Sequence, residues 1–496
     1  MKMPGRASDG DPGVVDRLLS GGEPGPDGEL HLSVSATDFE GTVRELFGAG
    51  ARFITLFVAE TPGRAWTGLF AFRGELLVVQ APVDDRARMP GRGMGRWWPA
   101  TERAILELID REDAAVQEGG RGFTRPDPDL IERSVEGLDV FTIPFGPVRS
   151  GIFEAIQFQI ETGGEDVASL QTRTFFKHRG LESRFAGLRP EVAVHVAERV
   201  AGVAATAYAC AFSQAVERAL GVEPPLQAQR WRAIYSELER MACHLDVIAK
   251  QAETTALYVG QARFQILKEQ VQGLRARLTG SRFGRGVVAP GGVRSDGLID
   301  LDDLSKAIDG IERDLRRDQR LFLGTASMTD RLVGSGHLDR TLIEQYCAVG
   351  PLARGSGVSI DARHERPYGD YQRLGLRIIV HREGDAMARI NVRFGELFES
   401  LRIIRQAIDQ LRRRSGELSV PLLVDGSGTA CGWVEAPQGE LVIWVEMTDG
   451  VVRGVHIASP SFRNWALFDH AFPNDVLTDF AFIEHSFGLT TAGADR

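Results

Sequence analysis

Cysteine is scarce in this chain. Its 496 residues hold four, Cys210, Cys243, Cys347 and Cys431, and no two are spaced as a Cys-x-x-Cys pair. That spacing argues against a disulfide framework and against a cysteine-ligated cluster held by this chain alone. Buried free thiols in a reducing compartment are the expected state of all four. Long apolar runs are missing too. No stretch approaches the roughly 18–20 uncharged apolar residues of a membrane span. The opening MKMPGRASDGDPGVVDRLL lacks the apolar core of a signal peptide, so a cytoplasmic location is expected. Excess positive charge is absent: the formal charge is -10 and the pI about 5.6, which argues against a general nucleic-acid binder.

Several motifs are also missing. The chain has no G-x-G-x-x-G turn, no G-x-x-x-x-G-K-[ST] phosphate loop, no H-E-x-x-H, no EF-hand loop and no Ser-His-Asp elbow. A free-standing nucleotide-dependent dehydrogenase therefore lacks its cofactor loop. If NAD(H) is used, another subunit should bind it.

What is present reads as an α+β protein, mostly α-helical. Residues 1–30, rich in Gly, Pro and Asp, read as a flexible N-terminus. Residues 31–110 read as a small α+β domain. DFEGTVRELFGAGA has helical apolar spacing, and RFITLFVAE, WTGLFAFRG and ELLVVQAPV have the β-branched and aromatic content of strands. A helix is expected from WWPATERAILELIDRED, and residues 111–136 read as a linker. From 137 to 496, a hairpin or meander around Gly163-Gly164-Glu165-Asp166 leads into long helical stripes. These run over 191–220, 228–258, 263–278, 301–322 and 395–414, and strand-like alternation returns at 441–455. A helical bundle with β decoration fits this order.

The polar constellations are few. Arg86, Arg88, Arg92 and Arg96 beside Trp97 and Trp98 read as a solvated loop rather than a single-strand binder, given the acidic whole. FFKHRGLE gathers Lys177, His178, Arg179 and Glu182 in one segment. SELERMACHL puts Glu237, Arg240 and His244 on one helix face, where salt bridges within the helix suffice to explain them. DARHERPYGDY, residues 361–371, reads as a loop dense in ionisable groups, the kind that carries function.

The order of the segments is more specific than any one of them. FGPVRSGIFEAIQFQIETGGED, FFKHRGLE, ERVAGVAATAYACAF, LTGSRF, APGGV, DARHERPYGDY, ASPSFRNW and a terminal DR follow in one sequence. Together they resemble the family that unites two large subunits: that of membrane-bound [NiFe]-hydrogenases of the formate-hydrogenlyase type, and the D-type subunit of NADH-quinone oxidoreductase, or complex I. The likeness covers roughly 137–496. Residues 31–110 resemble the C-type subunit of complex I, and such a fusion is typical of the hydrogenlyase branch.

The resemblance implies a hydrogenase-large-subunit-like fold and an electron-transfer subunit of an energy-converting complex, peripheral on the inner face of the membrane. The implied partners are an iron–sulfur small subunit, of the B-type found in complex I or of the hydrogenase type, and antiporter-like membrane-arm subunits, with no nucleic acid. In the hydrogenase branch ERVAGVA reads ERVCGVC, and a second cysteine pair lies in CxxCxDR; those four thiolates bind nickel. Here Ala201, Ala204, Thr490 and Gly493 stand at the four positions. Nickel and Fe(II) need soft anionic sulfur there, so no metal is expected in this chain.

The complex I branch places a quinone headgroup in the same cavity, held by histidines of GPxHPxxHG. Here Arg149 and Phe153 replace those histidines. A quinone is therefore a candidate substrate without the family's usual contacts. The retained charged residues Glu154, His178, Arg179, Glu182, Arg199, Asp361 and Arg363 are the candidates for the cavity and a proton path. The resemblance sets Arg179 near the partner's terminal cluster and Asp361 and Arg363 on a loop toward the membrane arm. The chain stops at Asp495-Arg496, where mature hydrogenases end. The tail is expected to pack beside Ala201 and Ala204 with Arg496 held by a carboxylate. The alternative is a redox-silent scaffold required for assembly. A scaffold should fill the old metal cavity, whereas an enzyme should keep it open and charged.

Overall fold

The computed structural model describes residues 23–24, 29–35, 38–59, 65–72, 75–82, 140–149, 154–294, 299–413, 416–472 and 475–496. The Arg-rich stretch 86–98, the helix expected from Trp97, the linker 111–136 and Phe153 lie outside the described residues.

The N-terminal sheet has strands β1 (Glu23–Pro24), β2 (Leu30–Ser33), β3 (Arg52–Ala59), β4 (Ala65–Phe72) and β5 (Glu75–Pro82), in the order β1-β2-β5-β4-β3. Only β2 and β5 pair in parallel. Helix α1 (Phe39–Gly48) joins β2 to β3. Apolar residues alternate to both faces, and both faces are buried. On one side Phe39, Val43 and Leu46 of α1 share a cluster with Phe53, Phe70, Leu77 and Val79. On the other, Ile54, Leu69, Leu76 and Val78 pack with Cys431, Trp433, Val442 and Trp444. Coverage of both faces explains why ELLVVQAP reads as a near-continuous apolar run. Polar ties cross the same contact: Arg52 is bidentate to Glu440 at 2.6 and 3.0 Å, and Thr55 meets His456 at 3.0 Å.

The remaining chain carries two antiparallel three-stranded meanders. One is β6 (Phe141–Phe145), β7 (Gln157–Thr162) and β8 (Val167–Arg173). After a short β9–β10 hairpin (Val288–Ala289, Gly292–Val293), the other is β11 (Gly428–Ala436), β12 (Gly439–Thr448) and β13 (Val451–Ala458). The long helices are α2 (Pro190–Ala197), α3 (Ala205–Ala219), α4 (Leu226–Thr254), α5 (Tyr258–Thr279), α6 (Leu301–Leu323) and α7 (Ala386–Arg413). Two further helices near the C-terminus are α8 (Phe480–Phe487) and α9 (Thr491–Asp495). Alanine-rich α3 lies directly on β11. A β-carbon at Gly432 would stand 1.9 Å from the Ala211 carbonyl oxygen and one at Gly428 2.2 Å from that of Ala219. Glycine on the strand and alanine on the helix are what allow this approach.

Two helices expected as single runs are divided. The stripe over 191–220 breaks between Ala197 and Ala205, where Ala201 is extended (φ -137°, ψ 118°) and a 3-10 turn covers Gly202–Ala204. The expected run 228–258 ends at Thr254, and Tyr258 starts α5. The segment 361–371 is not a solvent-facing loop. Asp361 caps a one-turn helix, Ala362–Glu365, and Asp361 and Arg363 are both buried.

Candidate active-site cavity and its buried charge network

The break between α2 and α3 has an identifiable cause. Arg179 donates to the carbonyls of Arg199 (3.1 Å) and Val200 (2.6 Å), which would otherwise accept helical N–H groups. Glu198 accepts the Gly286 N–H at 2.6 Å. The free N-terminal amides of α3 then go to Glu239 on α4, which accepts from Thr206 at 2.8 Å and Ala207 at 2.9 Å. The turn carrying Ala201 and Ala204 is thus fixed by charged side chains from two distant segments, Arg179 and Glu239, and by the local Glu198. Both alanines are buried.

The C-terminal segment closes over this turn. Arg179 also donates to the Ala492 carbonyl at 3.0 Å, and its own N–H donates to the Arg496 carbonyl at 2.8 Å. Asp495 accepts the backbone N–H groups of Phe175 (2.8 Å) and Lys177 (3.1 Å), and its carbonyl accepts from His178 Nδ1 at 2.7 Å. Arg496 is buried and pairs with Glu182 at 3.2 Å. Glu182 in turn accepts the Ile457 N–H at 2.8 Å. The expected carboxylate partner of Arg496 is therefore Glu182. His178, Arg179 and Glu182 act here as backbone-fixing groups.

Glu154 caps the start of α9. Its carboxylate accepts from the Thr490 hydroxyl at 2.8 Å, the Thr491 hydroxyl at 2.8 Å and the Thr491 N–H. A negative group at a helix N-terminus is favoured by the orphan amides there. Beside this cap lies a chamber of about 260 Å³. Its walls bear Arg149 paired with Glu484 at 2.8 Å, Asp246 paired with Lys250 at 3.0 Å, and His485. Val203, Cys243, Trp465 and Leu489 are among the other residues that line it. Burial holds the His485 imidazole at about 4, reinforced by Lys250 and Arg149. Burial likewise pushes the Cys243 thiol up to about 11. Both are thus neutral at pH 7. A larger cavity of about 480 Å³ is lined by Cys210 and Arg232 among others, and by Tyr368 and Tyr371 of the segment 361–371, but by neither Asp361 nor Arg363.

Behind the chamber, α4 carries Glu237, Arg240 and His244, all fully buried. Glu237 and Arg240 do pair within the helix at 3.2 Å, but His244 joins neither of them. Its Nε2 donates to Glu396 of α7 at 2.8 Å, and Nδ1 accepts from Arg393 at 3.2 Å. Arg363 clamps Asp361 through two bonds (3.0 and 2.6 Å) and reaches Glu237 at 3.0 Å. Tyr371 and Ser400 each donate to Glu237 at 2.6 Å. Arg354 bridges Glu396 (2.7 Å) and Glu435 (2.8 Å).

This is a network of buried charges, each paired, as burial demands. Burial alone would raise Glu237, but Arg240, Arg363 and two hydroxyl donors more than offset it and hold the carboxyl below its usual range. Asp361 is lowered the same way, by Arg363 and Arg354 against burial. Glu435 goes the other way: burial and neighbouring Asp361 raise it despite Arg354. Burial drops His244 to about 4, with Arg393 and Arg240 reinforcing and Glu396 opposing.

Of the predicted residues, Glu154 and Thr490 meet at the chamber, and His178, Arg179 and Glu182 meet at the C-terminal segment. Asp361 and Arg363 belong to the separate buried network. Arg199 joins none of these: its side chain is about half exposed and donates to the His195 carbonyl. Sequence reading missed Asp246, Lys250, Glu484 and His485. The only signal was their spacing: Cys243, Asp246 and Lys250 recur on one face of α4, as Gly488 and Thr490 follow Glu484 at the end of α8.

Comparison with known proteins places this geometry. The family described as nickel-dependent hydrogenase matches residues 179–246, the stretch from Arg179 through Ala201 and Ala204 to Asp246. The family described as respiratory-chain NADH dehydrogenase, 49 Kd subunit, matches residues 252–425, which contain Asp361, Arg363 and Glu396. Over these stretches the chain is similar to the hydrogenase and complex I large subunits.

Among the large-subunit relatives, formate hydrogenlyase subunit 5 of Escherichia coli (strain K12) is 27% identical over 363 residues, covering 71% of this chain and 63% of that protein. The D-type subunit of NADH-quinone oxidoreductase from Desulfotalea psychrophila is 29% identical, covering 72% of this chain and 97% of its own length. The alpha subunit of the membrane-bound hydrogenase of Pyrococcus furiosus is also 29% identical, covering 71% and 87%. A chain of the membrane-bound sulfane sulfur reductase, an archaeal respiratory membrane complex, superposes with a TM-score of 0.68 at 26% identity, over 72% of this chain and 99% of that one. The hydrogenase-type large-subunit fold expected from the sequence is thus the one found. No helix among the described residues is long and apolar enough to cross a membrane.

Proposed function

We propose that this chain is the metal-free large subunit of a membrane-associated energy-converting complex. It faces an iron–sulfur partner subunit at Arg179 and a membrane arm elsewhere. The redox or protonation event of the complex takes place in the chamber beside Glu154. The observation that carries this reading is the chamber itself: among its otherwise partly apolar walls stand the Arg149–Glu484 and Asp246–Lys250 pairs. At the four former ligand positions, Ala201, Ala204 and Gly493 offer no donor atom, and the Thr490 hydroxyl donates to Glu154. That donor set does not fit a soft metal, and no step is assigned to one.

The chain's own groups supply the chemistry. Lys250 and Arg149 attract a developing negative charge on a bound acceptor, a quinone being the candidate. The Thr490–Glu154–Thr491 cluster provides a hydroxyl–carboxylate path along which a proton moves. NAD(H), if the complex uses it, binds another subunit. The scaffold alternative draws on a single feature, the close approach of the Tyr208 hydroxyl to position 493.

Purification of the complex in mild detergent, with metal and quinone analysis, tests the reading. Iron from the partner, less than stoichiometric nickel, and turnover that drops at least about tenfold in Glu154→Gln and Lys250→Met are expected. Stoichiometric nickel in this subunit, or full turnover in both variants, would overturn it.

A further inference from the structure

By the resemblance to hydrogenases, residues 201, 204, 490 and 493 mark the corners of a metal site. The chamber walls include Thr490 but not Ala201, Ala204 or Gly493. Tyr208 lies in the first turn of α3, whose N-cap is Ala204. A β-carbon placed on Gly493 would stand 3.1 Å from the Tyr208 hydroxyl, 3.1 Å from Ser459 Oγ and 3.2 Å from Thr490 Cγ2. The phenol hydroxyl thus ends beside Gly493, and Tyr208 shares a buried cluster with Ala201 and Ala204. It is only 2% exposed.

We infer that the Tyr208 side chain occupies the volume a metal would fill, so that the old metal position is closed from within the chain and the open chamber is displaced toward Glu154 and Lys250. This rests on the metal-free reading of the site above. The surroundings suit a neutral phenol. Burial raises its pKa to about 12, although Ser459, Arg496 and Arg179 pull it down. An uncharged hydroxyl in a pocket of hydroxyl groups keeps its hydrogen bond without leaving an unpaired buried charge. A cysteine at 493 has to displace Tyr208, Ser459 or Thr490 before its sulfur can point inward. Loss of the thiolates and filling by Tyr208 are therefore coupled, and restoring cysteines alone does not restore a metal site.

Cobalt(II) provides the test. The full-length chain carrying Ala201→Cys, Ala204→Cys, Thr490→Cys and Gly493→Cys is compared with the same variant that also carries Tyr208→Ala. The near-ultraviolet charge-transfer absorption of a four-thiolate site is read against added Co²⁺. The expected result is such a site only after Tyr208→Ala, with affinity at least about tenfold tighter than without it. Four-thiolate binding by the variant that keeps Tyr208 would overturn the inference.

The single variant Tyr208→Ala gives an independent reading, because it leaves a cavity shaped for the lost ring. Phenol should raise its melting temperature and leave the wild type unchanged. No phenol effect on the variant would also overturn the inference. Stoichiometric nickel in the wild-type subunit would instead sink the metal-free reading itself.

Discussion

The guanidinium of Arg179 stands 3.0 Å from the carbonyl oxygen of Ala492, and the same nitrogen stands 2.6 Å from that of Val200. One exposed side chain thus holds the 199–204 turn and the C-terminal segment together. Arg179 has two separable roles, a positive charge at the surface proposed to face the partner and a hydrogen-bonding fork.

Substitution at this position can separate them. Arg179→Lys keeps the charge and loses the fork; Arg179→Met loses both. Both variants should speed amide hydrogen exchange in residues 490–496, because each lost bond contributes on the order of 1 kcal/mol. Only Arg179→Met should also lower the reduction potential of a neighbouring cluster in the assembled complex. Equal potentials in the two variants would mean that no cluster lies near.

The pH dependence of stability should carry the mark of two buried histidines. Unfolded, each titrates near about 6.5; folded, His244 and His485 both sit at about 4. Between those values the unfolded chain binds more protons than the native one, so stability falls as the pH drops from 6.5 to 4. Denaturant unfolding followed across that range should show the slope, and His244→Gln should remove about one proton's worth of it. A flat profile in the wild type would contradict the assignment.

Arg363 keeps two buried carboxylates, Asp361 and Glu237, in their charged form. Arg363→Met should cost roughly 3–5 kcal/mol, the range for leaving buried charge unpaired. Urea unfolding checks this. A loss below about 1 kcal/mol would indicate that water or another cation replaces it.

Gly432→Val should be more damaging than its location in an otherwise ordinary strand suggests. The first side-chain atom would already meet the Ala211 carbonyl, so β11 and α3 must separate. A loss at or above the upper end of the roughly 1–3 kcal/mol typical of overpacking, or insoluble expression, is expected. Near-wild-type melting would show that the helix–strand contact is looser than it stands here.

Periodicity in the sequence was enough for most of the elements. The alternation of ELLVVQAP and the 3.6-residue stripes of 301–322 and 395–414 depend on which faces are apolar, a local property that survives in the folded chain as β5, α6 and α7. The ordered motifs were enough for the family. Three features were not legible. The residues of ERVAGVA are compatible with continuous helix, yet the helix breaks there because Arg179, twenty residues upstream, and Glu239, on another helix, take its carbonyl and amide groups. Asp246, Lys250, Glu484 and His485 are ordinary helix-face residues until α4 and α8 bring them to one chamber. Tyr208 is one of two aromatics in alanine-rich α3, and only the fold of the C-terminal segment puts its hydroxyl beside Gly493. Local pattern fixes which backbone conformations are favourable. Which charges are paired and which volumes are filled depends on segments hundreds of residues apart, and that was decided by the tertiary structure alone.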